Sequence, residues 1–308
     1  MVEASHRDGS MKKLSFRKID AFATDSSAGN PAGYIRMNSQ DELSPEEMQR
    51  IARELKGFVN EVGFMYRQDE DTLALRYYSS ECEVEFCGHA TIAVCYDTIS
   101  GDELLLGKDR IAVVTNMGRL GVENRIGDED AVYIWSPPPR ESEPAIPGQS
   151  LAEALGTAPE NLDGTRPITL INAGLDTLIV PMSGLEAVLS LRPDQEGLRV
   201  FCLEHQIDII TVFTSDVAGQ ASDVRSRVFA PRFGYLEDPA TGSGNAALGY
   251  YLLGNGLWKG APLVVEQNGE RERYNIVRLL ADRDELGRRR VLFGGRSQVR
   301  IIGEYILS

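Results

Sequence analysis

The chain has 308 residues, 42% of them apolar and 25% charged, the balance of a globular protein long enough for one large domain or two ordinary ones. Its 46 acidic side chains against 32 basic ones give a formal net charge of -14, which argues against nucleic acid and anionic membranes as partners and leaves small anions open, since local donors decide those. No apolar run approaches the ~20 residues of a bilayer-spanning helix.

Residues 1–10, MVEASHRDGS, have no apolar signal core and read as a disordered leader ahead of Met11. LSFRKIDAF then alternates as a strand, and SSAGNPAGYIRM reads as a turn and a short strand. LSPEEMQRIARELKG is the clearest helix: Ser44 caps it, Pro45 opens it, Met48, Ile51 and Leu55 give an apolar stripe, and Gly57 ends it. NEVGFMY and TLALRYYS are strands and a candidate hairpin. GHATIAVCYDTI is apolar all round, so it predicts a buried helix. RIAVVTNMGRLGVE and AVYIW complete a first sheet, and the Pro-rich SPPPRESEPAIPG is the best linker. Two domains are expected, 11–136 and 137–308, with the last strand free to rejoin the first.

The second half repeats this plan loosely. PITLINAG and DTLIVPM are strands, GLEAVLSL and PDQEGLRVFCLEHQ helices, IDIITVFT a buried strand, and VRSRVFAP alternates again. EDPATGSGNAALGYYLLGNG carries a helix from about Gly244 to Leu253, and four strands follow. In both halves a strand leads into a Gly-containing turn that opens a buried helix, which points to two similar α+β halves facing each other. Each helix start offers free N–H groups and a positive dipole end. If the two starts converge, the cleft between them is an anion site, fit for a carboxylate or a developing enolate.

The polar residues at those turns are the candidates. His89, one of three histidines, sits on the first helical turn, where the dipole disfavours the imidazolium; a structural imidazole is the plainer alternative. Cys87 is either a thiolate activated by the helix start or a small apolar strand end. Cys82, Cys87 and His89 lack zinc-ligand spacing, so no metal is expected. Asp238 before Pro239 is either a helix cap or an acid facing the cleft; Gly242 and Gly244 make sense if the backbone must approach something closely. Asn60 and Glu61 intrude on an apolar run, and Glu61 either faces solvent or is desolvated, which raises a carboxyl towards neutrality. Neither GxGxxG nor GxxxxGK[ST] occurs, so no nucleotide cofactor is implied. The four cysteines, mostly in apolar runs, read as reduced thiols of a cytoplasmic protein.

Together, IDAFATDSSAGNPAGYI, NEVGFM, FCGHATIAV and EDPATGSGNAALGYYL resemble the PhzF-like isomerases of phenazine biosynthesis, which share the diaminopimelate epimerase fold. The resemblance implies two α+β domains, each a curved, mostly antiparallel sheet wrapped around a central helix, with the active site between them. It implies proton movement on a small carboxylate-bearing substrate without metal or cofactor, in a homodimer. By motif, Glu61 matches the proton-transferring glutamate, His89 and Gly88 the CGHA turn, Asp238 the acid of EDP, and Ser243 the serine after TG. The catalytic candidates are thus Glu61, His89 and Asp238, with Asp238 expected to hydrogen-bond His89; the substrate-binding candidates are Gly88, Gly242, Ser243, Asn60 and Thr241. TGSGN stands where many members have TGSAH, and NGERERYN occupies the place of their Gly-Arg-Pro-Ser stretch, which bears on substrate identity. The competing readings are a two-cysteine amino-acid racemase or epimerase, for which Cys87 has no counterpart near Asp238, and a non-catalytic small-molecule binder.

Overall fold

The computed structural model describes residues 11–308, so the expected leader lies outside the described residues. In the first half, β1 (Lys12–Ala21) and β2 (Asn30–Arg36) pair antiparallel. Helix α1 (Pro45–Glu54) follows with the anticipated cap: the Ser44 hydroxyl accepts from Glu47 N–H, and the Glu47 carboxylate accepts from Ser44 N–H. Strand β3 (Glu61–Arg67) runs parallel to β2 and forms a hairpin with β4 (Thr72–Ser79), which also pairs with the short β5 (Glu83–Val84). Helices α2 (Gly88–Ser100) and α3 (Glu103–Leu106) lead to β6 (Arg110–Thr115), parallel to β4. Then come β7 (Gly118–Arg125), α4 (Ile126–Glu129) and β8 (Ala131–Trp135).

The second half opens with β9 (Arg140–Ser142), α5 (Gly148–Ala154), β10 (Thr169–Asn172) and β11 (Asp176–Pro181). After α6 (Leu185–Leu189) and α7 (Gln195–Glu204), β12 (Ile209–Thr214) runs parallel to β11 and antiparallel to β13 (Val224–Phe229). The short β14 (Glu237–Asp238) pairs with β13, α8 (Gly242–Gly254) crosses over, and β15 (Leu263–Gln267) returns parallel to β13. Strands β16 (Asn275–Arg283), β17 (Arg289–Gly295) and β18 (Ser297–Leu307) end the chain. The two halves thus share one plan. A strand returns parallel to its predecessor, a hairpin follows, and a helix crosses between a two-residue strand and another parallel return. The fold is α+β, with each half a curved, mostly antiparallel sheet wrapped around α2 or α8.

The halves are tied by two ladders: β18 follows β17 yet pairs with β1 along its length, and β8 pairs with β17. Inside the second half, β9 pairs with β10. The Pro-rich stretch read as a linker therefore contains a paired strand. Its prolines bracket Arg140–Ser142, which supplies the ladder hydrogen bonds that proline cannot.

Helices α2 and α8 have no polar face, and their middles are buried from Ala90 to Cys95 and from Gly244 to Leu252. Helix α8 begins at Gly242, two residues ahead of the expected Gly244, because Thr241 and not Asp238 is its N-cap. One apolar cluster runs from Ile92 and Val94 of α2 to Ala247 and Leu248 of α8. No described helix is long and apolar enough to cross a membrane.

β13 departs from what its alternation implies, because every one of its residues is buried. Arg225 and Glu266 are each 0% exposed and pair at 3.0 Å; Arg225 also donates to the Asn268 carbonyl at 2.8 Å. Arg227 pairs with Glu237 at 2.8 Å. Both guanidiniums are retained inside because their charges and donors are met there. Glu266→Ala leaves the Arg225 charge uncompensated in the interior and is expected to cost about 3–5 kcal/mol in urea unfolding.

Candidate active site

The two central helices start next to each other, against one ring. A Cβ added at Gly242 would lie 2.2 Å from Phe293, and one at Gly88 would lie 3.2 Å from it. Glycine at 242 is therefore a requirement of close approach, since any larger residue would push α8 off the Phe293 ring. The first turns keep their N–H groups free of intrahelical bonds, as the ladders begin only with Thr91 N–H to Cys87 O and Asn245 N–H to Thr241 O.

Glu61 is the first residue of β3, level with Ala32 of β2 and Ser79 of β4. Its side chain is 17% exposed, and Oε2 is buried without a hydrogen bond of good geometry, 3.4 Å from His89 Nε2. Burial pushes the carboxyl up to about 7, and the charge of Asp238 adds to the rise. His89 is held down to about 4 by the same burial, against a hydrogen bond it gives the Pro31 carbonyl, so its imidazole is neutral at neutral pH. Its Nδ1 lies 3.4 Å from Cys87 Sγ.

Asp238 is buried and fully partnered. Asn30 Nδ2 donates to one oxygen at 2.7 Å, and the Thr241 hydroxyl donates to the other at 2.6 Å. Burial raises this carboxyl to about 7 in spite of both donors. The expected Asp238–His89 hydrogen bond is not formed among the described residues, because those oxygens are taken from the other side. Behind Asp238 stands a polar core: Gln267 accepts from Thr241 N–H at 2.9 Å and from Asn245 Nδ2 at 2.6 Å, and donates to the Asp238 carbonyl at 2.8 Å.

The structure brings together Glu61, His89, Asp238, Gly88, Gly242 and Thr241. Ser243 stands on the first turn of α8 with its hydroxyl in no hydrogen bond among the described residues. Asn60 is exposed just ahead of β3, and its side chain makes no hydrogen bond among the described residues. Thr241 is engaged by Asp238 and Gln267, so it braces the acid.

Sequence reasoning missed Asn30, Gln267, Asn245 and Tyr235. The signal for the first three was a lone amide at the edge of an apolar or glycine-rich run. Tyr235 stands three residues before Asp238; burial first, then the charges of Asp238, Glu61 and Cys87, push its hydroxyl far up. Its ring packs on the Ile209, Val228 and Ala230 cluster.

Cys87 is buried, and desolvation, reinforced by Glu61, pushes its thiol well above the usual range. The thiol is therefore protonated, in spite of the helix start beside it. Cys202, the only cysteine of the second half, is buried in a separate cluster with Leu198 and Phe201. Glu61, Cys87 and His89 place one ligand atom each within 4.8 Å of one another, so a metal ion would have three donors, of which the thiol would first have to lose its proton.

The family model for phenazine biosynthesis-like proteins, PhzC-PhzF, matches residues 19–303. The chain is 30% identical over 264 residues to "Uncharacterized isomerase YfhB" of Bacillus subtilis, covering 84% of this chain and 88% of that one. It is 32% identical over 241 residues to trans-2,3-dihydro-3-hydroxyanthranilate isomerase of Pseudomonas aeruginosa, covering 76% and 78%. The crystal structure of the PhzF-family phenazine biosynthesis protein of Bacillus anthracis superposes with a TM-score of 0.84 at 25% identity, over 96% of this chain and 100% of that one. A hydroxyproline epimerase from Agrobacterium vitis shares the fold at a TM-score of 0.59 and 13% identity, over 96% and 92%.

The raised carboxyl of Glu61 has a signature in stability. Its folded pKa of about 7 lies above the ~4.3 of an unfolded glutamate, so its contribution to stability is full below about pH 4 and is lost as pH rises to 7. Glu61→Gln removes that loss. The variant is expected to unfold on the order of 2–3 kcal/mol less readily than the parent at pH 8, with the gap closing towards pH 4. Urea unfolding at both pH values checks it; a gap independent of pH sinks the assignment.

Proposed function

This chain belongs to the PhzC-PhzF family of phenazine biosynthesis-like proteins and is an isomerase, and we infer that it moves a proton on a small carboxylate-bearing substrate without metal or cofactor. The observation that carries this reading is the shielded Glu61 carboxyl, near 7, beside a neutral imidazole and a second buried acid. A carboxyl that titrates near neutrality both takes and returns a proton at working pH. In the proposed reaction the Glu61 carboxylate removes a proton from a carbon conjugated to the substrate's carboxylate. The electron pair delocalises towards that carboxylate, and the Glu61 acid returns the proton to another carbon. The free N–H groups at Gly88 and Gly242, with the Ser243 hydroxyl, hold the carboxylate as charge develops on it. His89 orients Glu61, and Asp238, fixed by Asn30 and Thr241, keeps its pKa high.

The two-cysteine racemase reading is disfavoured by the protonated Cys87 and by the absence of a cysteine from the α8 turn. Incubation in D2O with cyclic hydroxy acids and amino acids, followed by NMR, decides between the readings. Glu61→Gln is expected to lose deuterium entry by ~100-fold or more, and Cys87→Ala to keep it. The reverse pattern favours thiol chemistry, and no exchange on any compound favours a binder.

For the assembly we propose a cytoplasmic homodimer joined along β18. Among the described residues this strand pairs only with β1, and Ile302 and Ile306 on it are 70% and 44% exposed. An antiparallel self-pairing centred on Ile302 sets Arg300 opposite Glu304 of the partner subunit. Light scattering is expected to give a dimer for the parent and a monomer for Ile302→Lys; a monomeric parent overturns the proposal.

A further inference from the structure

A cavity of about 760 Å³ lies on the far side of the wall that carries Asp238, between the 26–29 loop of the first half and the 268–275 stretch of the second. Gly29 and Pro239 line the cavity, and their chain neighbours Asn30 and Asp238 are joined by the 2.7 Å hydrogen bond within the catalytic cluster. Asn275 closes the seam: it accepts from Gly29 N–H at 2.8 Å and donates to the Pro239 carbonyl at 2.7 Å. What fills the cavity therefore bears on the backbone that positions the acid.

The lining carries three arginines, Arg192, Arg227 and Arg273, and two glutamates, Glu237 and Glu270, a local charge of 3 − 2 = +1 on a chain of -14. Arg227 has all three nitrogens engaged, with Nε and Nη2 on Glu237 and Nη1 on the Val188 and Leu191 carbonyls. Arg273 gives only Nε, to Glu270. Arg192 has no acid partner among the described residues, and only its Nη1 is engaged, by the Leu189 and Leu191 carbonyls. Two guanidiniums with open donor edges thus share one cavity of a size usual for small-molecule sites. The segment supplying Arg273 is NGERERYN, the stretch that departs from the family pattern.

We propose that this cavity is an anion subsite adjoining the active site, in which Arg192 and Arg273 bind a carboxylate or phosphoryl group. The group belongs either to a far arm of the substrate or to a separate small anion. The proposal rests on Glu61 being the reacting centre only for what the bound group is used for; the anion site itself stands on the arginines.

Calorimetric titration of the full chain with inorganic phosphate and with succinate tests it. Saturable binding is expected in the parent and in Glu61→Gln. It should weaken at least ~10-fold in Arg192→Ala/Arg273→Ala, with single Arg192→Ala intermediate and melting temperatures unchanged. No saturable binding in the parent, or binding that survives the double substitution, overturns the proposal. The deuterium-exchange assay separates the two sources. A substrate with a second anionic group whose KM rises in the double variant while kcat holds assigns the site to the substrate's arm. An effect of free phosphate on exchange of a substrate without that group, absent from the double variant, assigns it to a separate anion. Phosphate binding intact with no exchange on any compound sinks the proton-transfer reading and upholds the anion site; exchange intact without phosphate binding does the reverse.

Discussion

Keeping water from one carboxyl is the constraint on which the molecule turns. A glutamate at the head of a strand relaxes into solvent if its walls can part, and its pKa then returns to the ordinary range. The walls around Glu61 come from both halves: β3 and the start of α2 on one side, β14 and the start of α8 on the other. A two-domain protein joined by one flexible link opens readily at its interface. Here β18 is stitched onto β1 and β8 onto β17, so two separate ladders span the halves. The strand exchange is what makes a costly, desolvated acid persist in the folded state.

The same burial sorts the four ionisable groups of the site by chemical type. It raises Glu61 and Asp238 towards 7, lowers His89 towards 4, and raises the Cys87 thiol. At neutral pH the imidazole and the thiol are both uncharged, and the two carboxyls alone sit near their titration points. Because each carboxylate opposes ionisation of the other, the pair holds about one proton between them rather than two or none. A site with that proton inventory suits the proposed reaction, in which one carboxyl hands a proton on and takes it back. Burial outweighs the helix start at Cys87 and favours its thiol form over the thiolate.

What could be read in the sequence was what depends on neighbours in the chain. The Ser44–Glu47 cap lies within one turn, and the apolar surfaces of α2 and α8 announce burial without reference to a partner. Glu61 was ambiguous, because strand alternation gives its face but not what covers that face. Sequence alone makes Asp238 a partner of His89, yet its actual donors are Asn30, 208 residues away, and Thr241, in the glycine-rich turn. The alternation of β13 sets its arginines on one face without saying what covers it, since the Glu266 that admits Arg225 lies 41 residues on in another strand. β9 was hidden in prolines because its pairing partner begins beyond a helix and a loop. Motif likeness filled part of this gap by importing three-dimensional neighbours that periodicity cannot supply.

The repeated plan also bears on why the two helix starts differ. A duplicated fold with converging helix ends would by symmetry present two equal groups to a substrate, the arrangement a two-cysteine racemase needs. Here the symmetry of the backbone is kept and the symmetry of the side chains is broken. The α2 end carries Cys87, Gly88 and His89 against the orphaned oxygen of Glu61. The α8 end carries Thr241, Gly242 and Ser243, backed by Gln267 and Asn245, with every polar atom of Asp238 satisfied. An unsatisfied acid is free to change its protonation at little structural expense, whereas a fully bonded one resists it. The proposed division of labour follows from this: the first half's end would exchange the proton, and the second half's end would stay fixed and hold the field that keeps the proton close to release.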